Sequence, residues 1–145
     1  MADKGLKLGL RTEYEAVYAY SLAGAQLTGK ALEAAQSNEK VHRDRRDDIM
    51  VRMTKAGDEP PAEEAAYQLP GEVTDEKSAK ALLSEIELRT TSMWRSVLAD
   101  TTGGDRKAAA KAYSSSAVTM ARWKRALGES PSTTAFPGRP LCFPG

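Results

Sequence analysis

The residues SNEKVHRDRRDD, positions 37–48, contain the only histidine of the chain and a Glu-x-x-His pattern made by Glu39 and His42. Di-iron carboxylate bundles use this spacing to place two ligands on one face of a helix. Glutamate oxygens and an imidazole nitrogen are ligands that suit Fe, Mn and Zn. The pattern alone is weak, because a glutamate three residues before a histidine is also common on solvated helix faces. Its meaning depends on which side chains the other elements place beside it.

Four long stretches have the periodicity of amphipathic helices, and almost nothing reads as a strand. The predicted helices are residues 6–27, 31–55, 75–100 and 105–127. Gly57 and Gly128 follow the second and fourth helices as C-terminal stops. Thr74 is predicted to cap the start of the third. The sequence therefore predicts an all-α protein.

The connections between these helices predict the topology. Short turns make antiparallel hairpins of the first two helices and of the last two. The 18 residues 57–74 between them hold three prolines and two glycines, and could span about 55–60 Å if extended. A helix of about 25 residues is near 37 Å long, so this segment can travel the whole bundle. We expect a ferritin-like four-helix bundle with one long crossover between helices 2 and 3, over residues 1–130. Residues 131–145 would form a proline-rich tail packed on the bundle or on a partner.

Ionisable residues interrupt the apolar inward stripes of three helices at similar depth. They are Glu13 on helix 1, Glu39, His42 and Arg46 on helix 2, and Glu87 on helix 3. Burying carboxylates without a counter-charge is costly. One solution is a single divalent ion bound by Glu13, Glu39, His42 and Glu87. The other is a metal-free buried polar network that also includes Arg46 and Ser116.

Helix 4 limits the metal interpretation. Its inward stripe has Ser116 and Thr119 where a second Glu-x-x-His would be expected, whereas a complete di-iron site needs that motif on two helices. The incomplete ligand set argues against oxygen-activating di-iron chemistry. The ligand count allows at most one ion per chain.

Four stretches resemble the actinobacterial ferritin-like proteins of the domain of unknown function 4439 family. These stretches are EYEAVYAYSLAGAQL, HRDRRDDI, IELRTTSMWRSVLA and WKRALGESPSTTAFPG. The resemblance extends from about residue 6 to residue 138 and implies a ferritin-like bundle paired with a second copy. By the same resemblance, Glu13, His42 and Glu87 fall on recurrent inward polar positions. It implies no activity.

Two functional hypotheses follow from these patterns. The favoured one is a non-catalytic structural or interaction protein with a buried Glu/His/Arg cluster. The alternative is a degenerate metalloprotein that binds one divalent ion (Fe, Mn or Zn) and has oxidoreductase activity. The first predicts that added metal leaves the melting temperature unchanged.

Composition limits the expected cellular location and the kinds of partner. The chain has 145 residues, 21 basic and 20 acidic, and a formal net charge of +1, so no overall field favours nucleic acid or a membrane. It has no long apolar span, no nucleic-acid motif and no signal-peptide pattern at its start. Cys142 is the single cysteine, which excludes an intrachain disulfide framework. We expect a cytoplasmic protein.

Surface features predict association. A face of helix 1 formed by Tyr14, Tyr18, Ala19 and Ala23 is expected to pair two copies as a homodimer. The tail repeats Phe-Pro-Gly at residues 136–138 and 143–145, and its phenylalanines could clip the tail to the bundle or dock on a protein partner. Basic residues gather in 105–125 and acidic ones in 58–76, and the two segments are expected to attract each other.

Overall fold

The computed structural model describes residues 4–139 and shows four α-helices. They are α1 (Lys4–Gly24), α2 (Gly29–Lys55), α3 (Glu76–Val97) and α4 (Gly103–Ala126), with a 3₁₀ turn at Leu98–Asp100. No strand occurs in this part of the chain, so the all-α prediction is confirmed. None of these helices is long and apolar enough to cross a membrane.

The helix ends follow local capping chemistry, and one predicted cap is wrong. Asp75, not Thr74, caps α3: its carboxylate accepts the Ser78 backbone N–H at 2.7 Å, and the Ser78 hydroxyl accepts the Asp75 N–H at 3.0 Å. This reciprocal pair satisfies two backbone donors that the helix cannot satisfy itself. Gly57 and Gly128 end α2 and α4 with φ values of +85° and +77°, which confirms both predicted stops.

Contacts along the helices fix their directions. Gly5 at the start of α1 lies against Val97 at the end of α3, and Gly24 at the end of α1 lies near Leu32 at the start of α2. Both α2 and α3 are therefore antiparallel to α1, so they are parallel to each other. This arrangement requires one long crossover between them and confirms the predicted four-helix topology.

The crossover, residues 56–75, runs along the outside of α1. Tyr14 donates a hydrogen bond to the carbonyl of Pro61 at 2.9 Å, and the Tyr18 and Tyr67 rings lie 5.6 Å apart. Ala19 and Ala23 are fully buried, and Tyr14 is 3% exposed. The face of α1 predicted to pair two copies is therefore already covered within one chain, and that part of the homodimer prediction is wrong.

The core consists of two apolar clusters, one toward each end of the bundle. One contains Leu83 and the Trp123 indole, and the other contains Leu10, Ile49 and the Trp94 indole. Gly9 allows α1 to approach Trp94 closely: a Cβ at this position would lie 2.3 Å from the indole ring. This close approach sets Trp94 against α1, where its ring N–H can reach Glu13.

The tail contacts α3 and α4 through its backbone. Tyr113 donates a hydrogen bond to the carbonyl of Pro137 at 2.9 Å, and a Cβ on Gly138 would lie 3.0 Å from the Ser92 backbone. Phe136 is 64% exposed, so the prediction that its ring clips the tail is wrong. The absence of a Cβ at Gly138, where φ is +75°, permits the contact instead. Cys142 and the second Phe-Pro-Gly lie outside the described residues.

Candidate functional site

A layer of polar side chains lies inside the bundle and joins all four helices. Glu13 of α1, His42 of α2 and Glu87 of α3 form its centre, and they are 0%, 2% and 1% exposed. The structure therefore brings together three of the four residues predicted as metal ligands. We call this layer the buried network; its members are Glu13, Tyr20, His42, Arg45, Glu87, Trp94, Ser116 and Trp123.

His42 lies between the two buried carboxylates. Its Nδ1 is 2.6 Å from Oε2 of Glu13, and its Nε2 is 2.8 Å from Oε1 of Glu87. Burial alone would lower the pKa of His42, but the negative charges of Glu87 and Glu13 raise it to about 9. The ring is therefore an imidazolium at neutral pH, and both of its N–H groups donate to carboxylates.

Glu13 is bound from three directions. Besides His42 at its Oε2, its Oε1 accepts the indole N–H of Trp94 at 2.7 Å and the Arg45 guanidinium at 2.9 Å. Burial would raise the pKa of Glu13, whereas the positive charges of His42 and Arg45 lower it to about 2. The carboxylate stays ionised because two cations and an indole N–H surround it.

Glu87 receives a hydrogen-bond chain from the opposite side of the bundle. The Trp123 indole N–H donates to the Tyr20 hydroxyl at 2.9 Å, and that hydroxyl donates to Oε1 of Glu87 at 2.6 Å. Burial and the Glu87 charge raise the pKa of Tyr20 well above its usual value, so the phenol keeps its proton. The second oxygen of Glu87, Oε2, is buried and accepts no hydrogen bond from any described residue.

Arg45 belongs to the buried network, and the predicted Arg46 does not. Arg45 is 13% exposed and bridges Glu13 to the Ser116 hydroxyl, which it meets at 3.1 Å. Ser116 therefore lies in the network as predicted. Arg46 instead pairs with Asp47 near the surface, so its assignment to the network is wrong.

Glu39 also lies outside the network, contrary to the prediction. Its carboxylate accepts hydrogen bonds from the Ser21 hydroxyl at 2.8 Å and from Arg43 at 2.7 Å, and its side chain is 18% exposed. The buried positions of α2 are Ala35, His42, Ile49 and Met53. Relative to that line, Glu39 and Arg46 fall on the flank toward α1. Of the two residues in the Glu-x-x-His pattern, His42 therefore lies in the core, and Glu39 lies at the partly exposed edge of the core.

Three members of the network are aromatic. Tyr20, Trp94 and Trp123 fill the core, yet each also donates a hydrogen bond within it. A buried tyrosine or tryptophan needs a partner for its polar hydrogen. That requirement is the signal that could have identified them, since Trp94 shares its inward stripe with Glu87 and Trp123 shares its stripe with Ser116.

The stabilities of two arginine variants test whether Arg45, and not Arg46, belongs to the buried network. Arg45→Ala is expected to lower the free energy of unfolding by about 1–3 kcal/mol, because it removes a charged donor from a fully buried carboxylate. Arg46→Ala is the matched control and should cost less than about 1 kcal/mol, as for a surface ion pair. Urea unfolding followed by circular dichroism measures both. A larger loss for Arg46→Ala than for Arg45→Ala would contradict the geometry.

The network's donors and acceptors are largely used on one another. Two cations balance two carboxylates, and the carboxylates lie against different nitrogens of one imidazolium ring. Among residues 4–139, no group of three or more His, Cys, Asp or Glu side chains is arranged to hold a metal ion. Both nitrogens of His42 lie against carboxylates in this arrangement, so binding a metal would require His42 to lose a proton and present an unprotonated nitrogen.

Comparisons with known proteins agree with this fold. The crystal structure of a conserved hypothetical protein from Mycobacterium tuberculosis matches the chain with a TM-score of 0.82 and 34% sequence identity. The match covers 92% of this chain and 94% of that one. No curated protein matches the chain. A family model described as a domain of unknown function, DUF4439, matches residues 5–141. The chain therefore belongs to the DUF4439 family.

Proposed function

We propose that the protein is a non-catalytic structural or interaction bundle, and that the buried network holds its four helices together. The observation that carries this proposal is the pairing of both His42 ring nitrogens with carboxylates, at 2.6 and 2.8 Å. A general base or a metal ligand needs a nitrogen that is free to accept a proton or an ion. Here the imidazolium supplies the counter-charge that the two buried carboxylates require.

The network's shape also supports a structural role. Each member reaches a side chain on another helix, so every helix is joined to at least one other by a directional, charge-assisted or aromatic hydrogen bond. Such bonds have strict distance and angle requirements, whereas apolar side chains tolerate sliding. We infer that the network specifies the register of the helices.

The single cysteine supports a cytoplasmic setting, where a disulfide-free protein is stable.

One observation favours the alternative, a metalloprotein that binds one divalent ion and has oxidoreductase activity. Oε2 of Glu87 is buried and has no hydrogen-bond donor among residues 4–139, and a buried polar atom of this kind calls for an explanation such as an ion or a water molecule. Metal binding by His42 would require the imidazolium to lose a proton. It would therefore be accompanied by proton release.

Melting experiments with added Fe(II), Mn(II) or Zn(II) separate the two candidates. A ligand that binds only the native state must raise the melting temperature by mass action. We expect no metal-dependent rise in the melting temperature and no proton release on metal addition. A rise that His42→Ala abolishes, and that Glu39→Gln retains because Glu39 lies outside the network, would establish the metalloprotein and refute the structural proposal.

A further inference from the structure

Helix α4 carries a line of cations on its outward face. We call this line the basic stripe; it consists of Lys107, Lys111, Arg122 and Arg125, all exposed. Helical geometry at about 100° per residue puts these four positions on one side of the helix. Val118, 51% exposed, lies between the two pairs of cations. No ion pair joins the basic stripe to another described residue.

The crossover carries the opposite pattern. Glu63 and Glu64 are exposed at one point along it and Glu72 at another. A shallow groove lies between them, lined in part by Tyr18, Leu22, Tyr67 and Leu69. We call these three glutamates and the groove the acidic ridge. Leu22 is 44% exposed in the groove. The acidic ridge therefore has exposed apolar surface between acidic residues, whereas the basic stripe has exposed apolar surface between basic residues.

The two surfaces cannot meet within one molecule. The crossover packs on α1, whereas α4 packs mainly on α3 and lies diagonally across the bundle from α1. The prediction that the basic and acidic segments attract each other within the chain is therefore wrong. The fold instead separates them onto opposite sides of a molecule whose net charge is only +1.

The two surfaces differ in length. Lys107 and Arg125 are separated along α4 by about 27 Å at 1.5 Å per residue. The acidic ridge is shorter, because the crossover passes from Pro61 at Tyr14 to Tyr67 at Tyr18, two positions only about 6 Å apart along α1. A partner's acidic ridge could therefore face only part of the basic stripe. Individual exposed ion pairs contribute little, so the association must depend on several pairs acting together.

We propose that copies of this chain associate head to tail, the basic stripe of one copy docking on the acidic ridge of the next. A second copy is the occupant because its acidic ridge is opposite in charge to the basic stripe and, like the stripe, has exposed apolar surface beside its charges. The contact joins two different surfaces, so each copy in an assembly keeps one free basic stripe or acidic ridge at its ends. Such a heterologous contact builds open chains or rings rather than a symmetric dimer.

Sedimentation equilibrium over a range of concentrations tests the association. At about 0.05 M salt, where the Debye length exceeds 10 Å, the weight-average mass should rise with concentration beyond twice the 15.7 kDa monomer. At about 1 M salt it should return toward the monomer mass. A mass that stays at 15.7 kDa, or that stops at twice this value, at low salt would overturn the proposal.

Two charge-reversed variants test the surfaces. The stripe variant carries Lys111→Glu and Arg122→Glu, and the ridge variant carries Glu63→Lys and Glu72→Lys. Each alone should remain monomeric, whereas their mixture should associate, because the intact basic stripe of the ridge variant meets the intact acidic ridge of the stripe variant. The reversed surfaces also attract each other in this mixture. When Lys111→Ala with Arg122→Ala is mixed instead with Glu63→Ala with Glu72→Ala, pairs of one copy each and nothing larger should form, because only one intact basic stripe and one intact acidic ridge can meet.

A matched control changes the same charge elsewhere. Lys30→Glu with Lys55→Glu alters two exposed lysines of α2, so this variant should associate like the unmodified chain. Equal loss of association in this control would indicate a net-charge effect and overturn the proposed contact. A stripe-dependent binding of anionic phosphatidylserine vesicles or of an RNA homopolymer, without self-association, would assign the basic stripe to a foreign polyanion and likewise overturn it.

Discussion

His42→Ala is expected to lower the free energy of unfolding by about 3–5 kcal/mol, since removing one partner of a buried ion pair leaves the other charge uncompensated. The imidazolium is shared by two carboxylates that are 0% and 1% exposed, so both would lose a donor at once. Arg45 would still reach Glu13, but Glu87 would keep only the Tyr20 hydroxyl. Urea unfolding followed by far-ultraviolet circular dichroism, at pH 7, measures the loss.

A variant that also neutralises the carboxylates identifies the cause. His42→Leu combined with Glu13→Gln and Glu87→Gln removes the charges together, so it should be more stable than His42→Ala, which leaves them unpaired. Lys40→Ala is a control on the same helix, because Lys40 is exposed and pairs with exposed Asp44, and it should change stability little. A loss below about 1 kcal/mol for His42→Ala, within the range of ordinary substitutions, would contradict the proposed role of the network.

The fold was predictable because its signals are local and repeated. Each helix has several turns of apolar periodicity, and the 18-residue connection is too long for a hairpin turn but long enough to cross the bundle. The path of that connection was not predictable. Contacts such as those of Tyr14 with Pro61 and Tyr18 with Tyr67 are not encoded in periodicity, and they cover the face assigned to dimer formation.

The centre of the network was predictable because a carboxylate in an apolar stripe is costly and therefore informative. Its edges were not. A helix has 3.6 residues per turn, so a stripe read at alternating steps of three and four can be rotated by about 40° without changing most of its members. That rotation moved Glu39 and Arg46 into the predicted core and left out Arg45, whose long side chain reaches Glu13 from the flank.

Stability is expected to fall as the pH rises from about 6.5 to about 9. An ordinary histidine has a pKa of 6.5, whereas the pKa of His42 in the fold is about 9. The charges of Glu87 and Glu13 raise it against the opposing effect of burial. A raised pKa contributes stability that is complete below the unfolded value and is lost as the pH passes the folded value. The shift corresponds to about 3 kcal/mol at 1.4 kcal/mol per pH unit.

The loss of stability between pH 6.5 and 9 can be assigned to one residue, because His42 is the only histidine of the chain. The free energy of unfolding should be measured from pH 5.5 to 9.5 in the unmodified chain and in His42→Gln, and the difference between the two curves removes the contributions of the terminal amine and Cys142. On the acid side the loss should begin below pH 4.5 and continue toward pH 2, since Glu13 has a pKa lowered to about 2. Parallel curves for the two proteins between pH 6.5 and 9 would show that His42 is neutral in the fold. In that case the two buried carboxylates would have to be balanced by protons or by another cation.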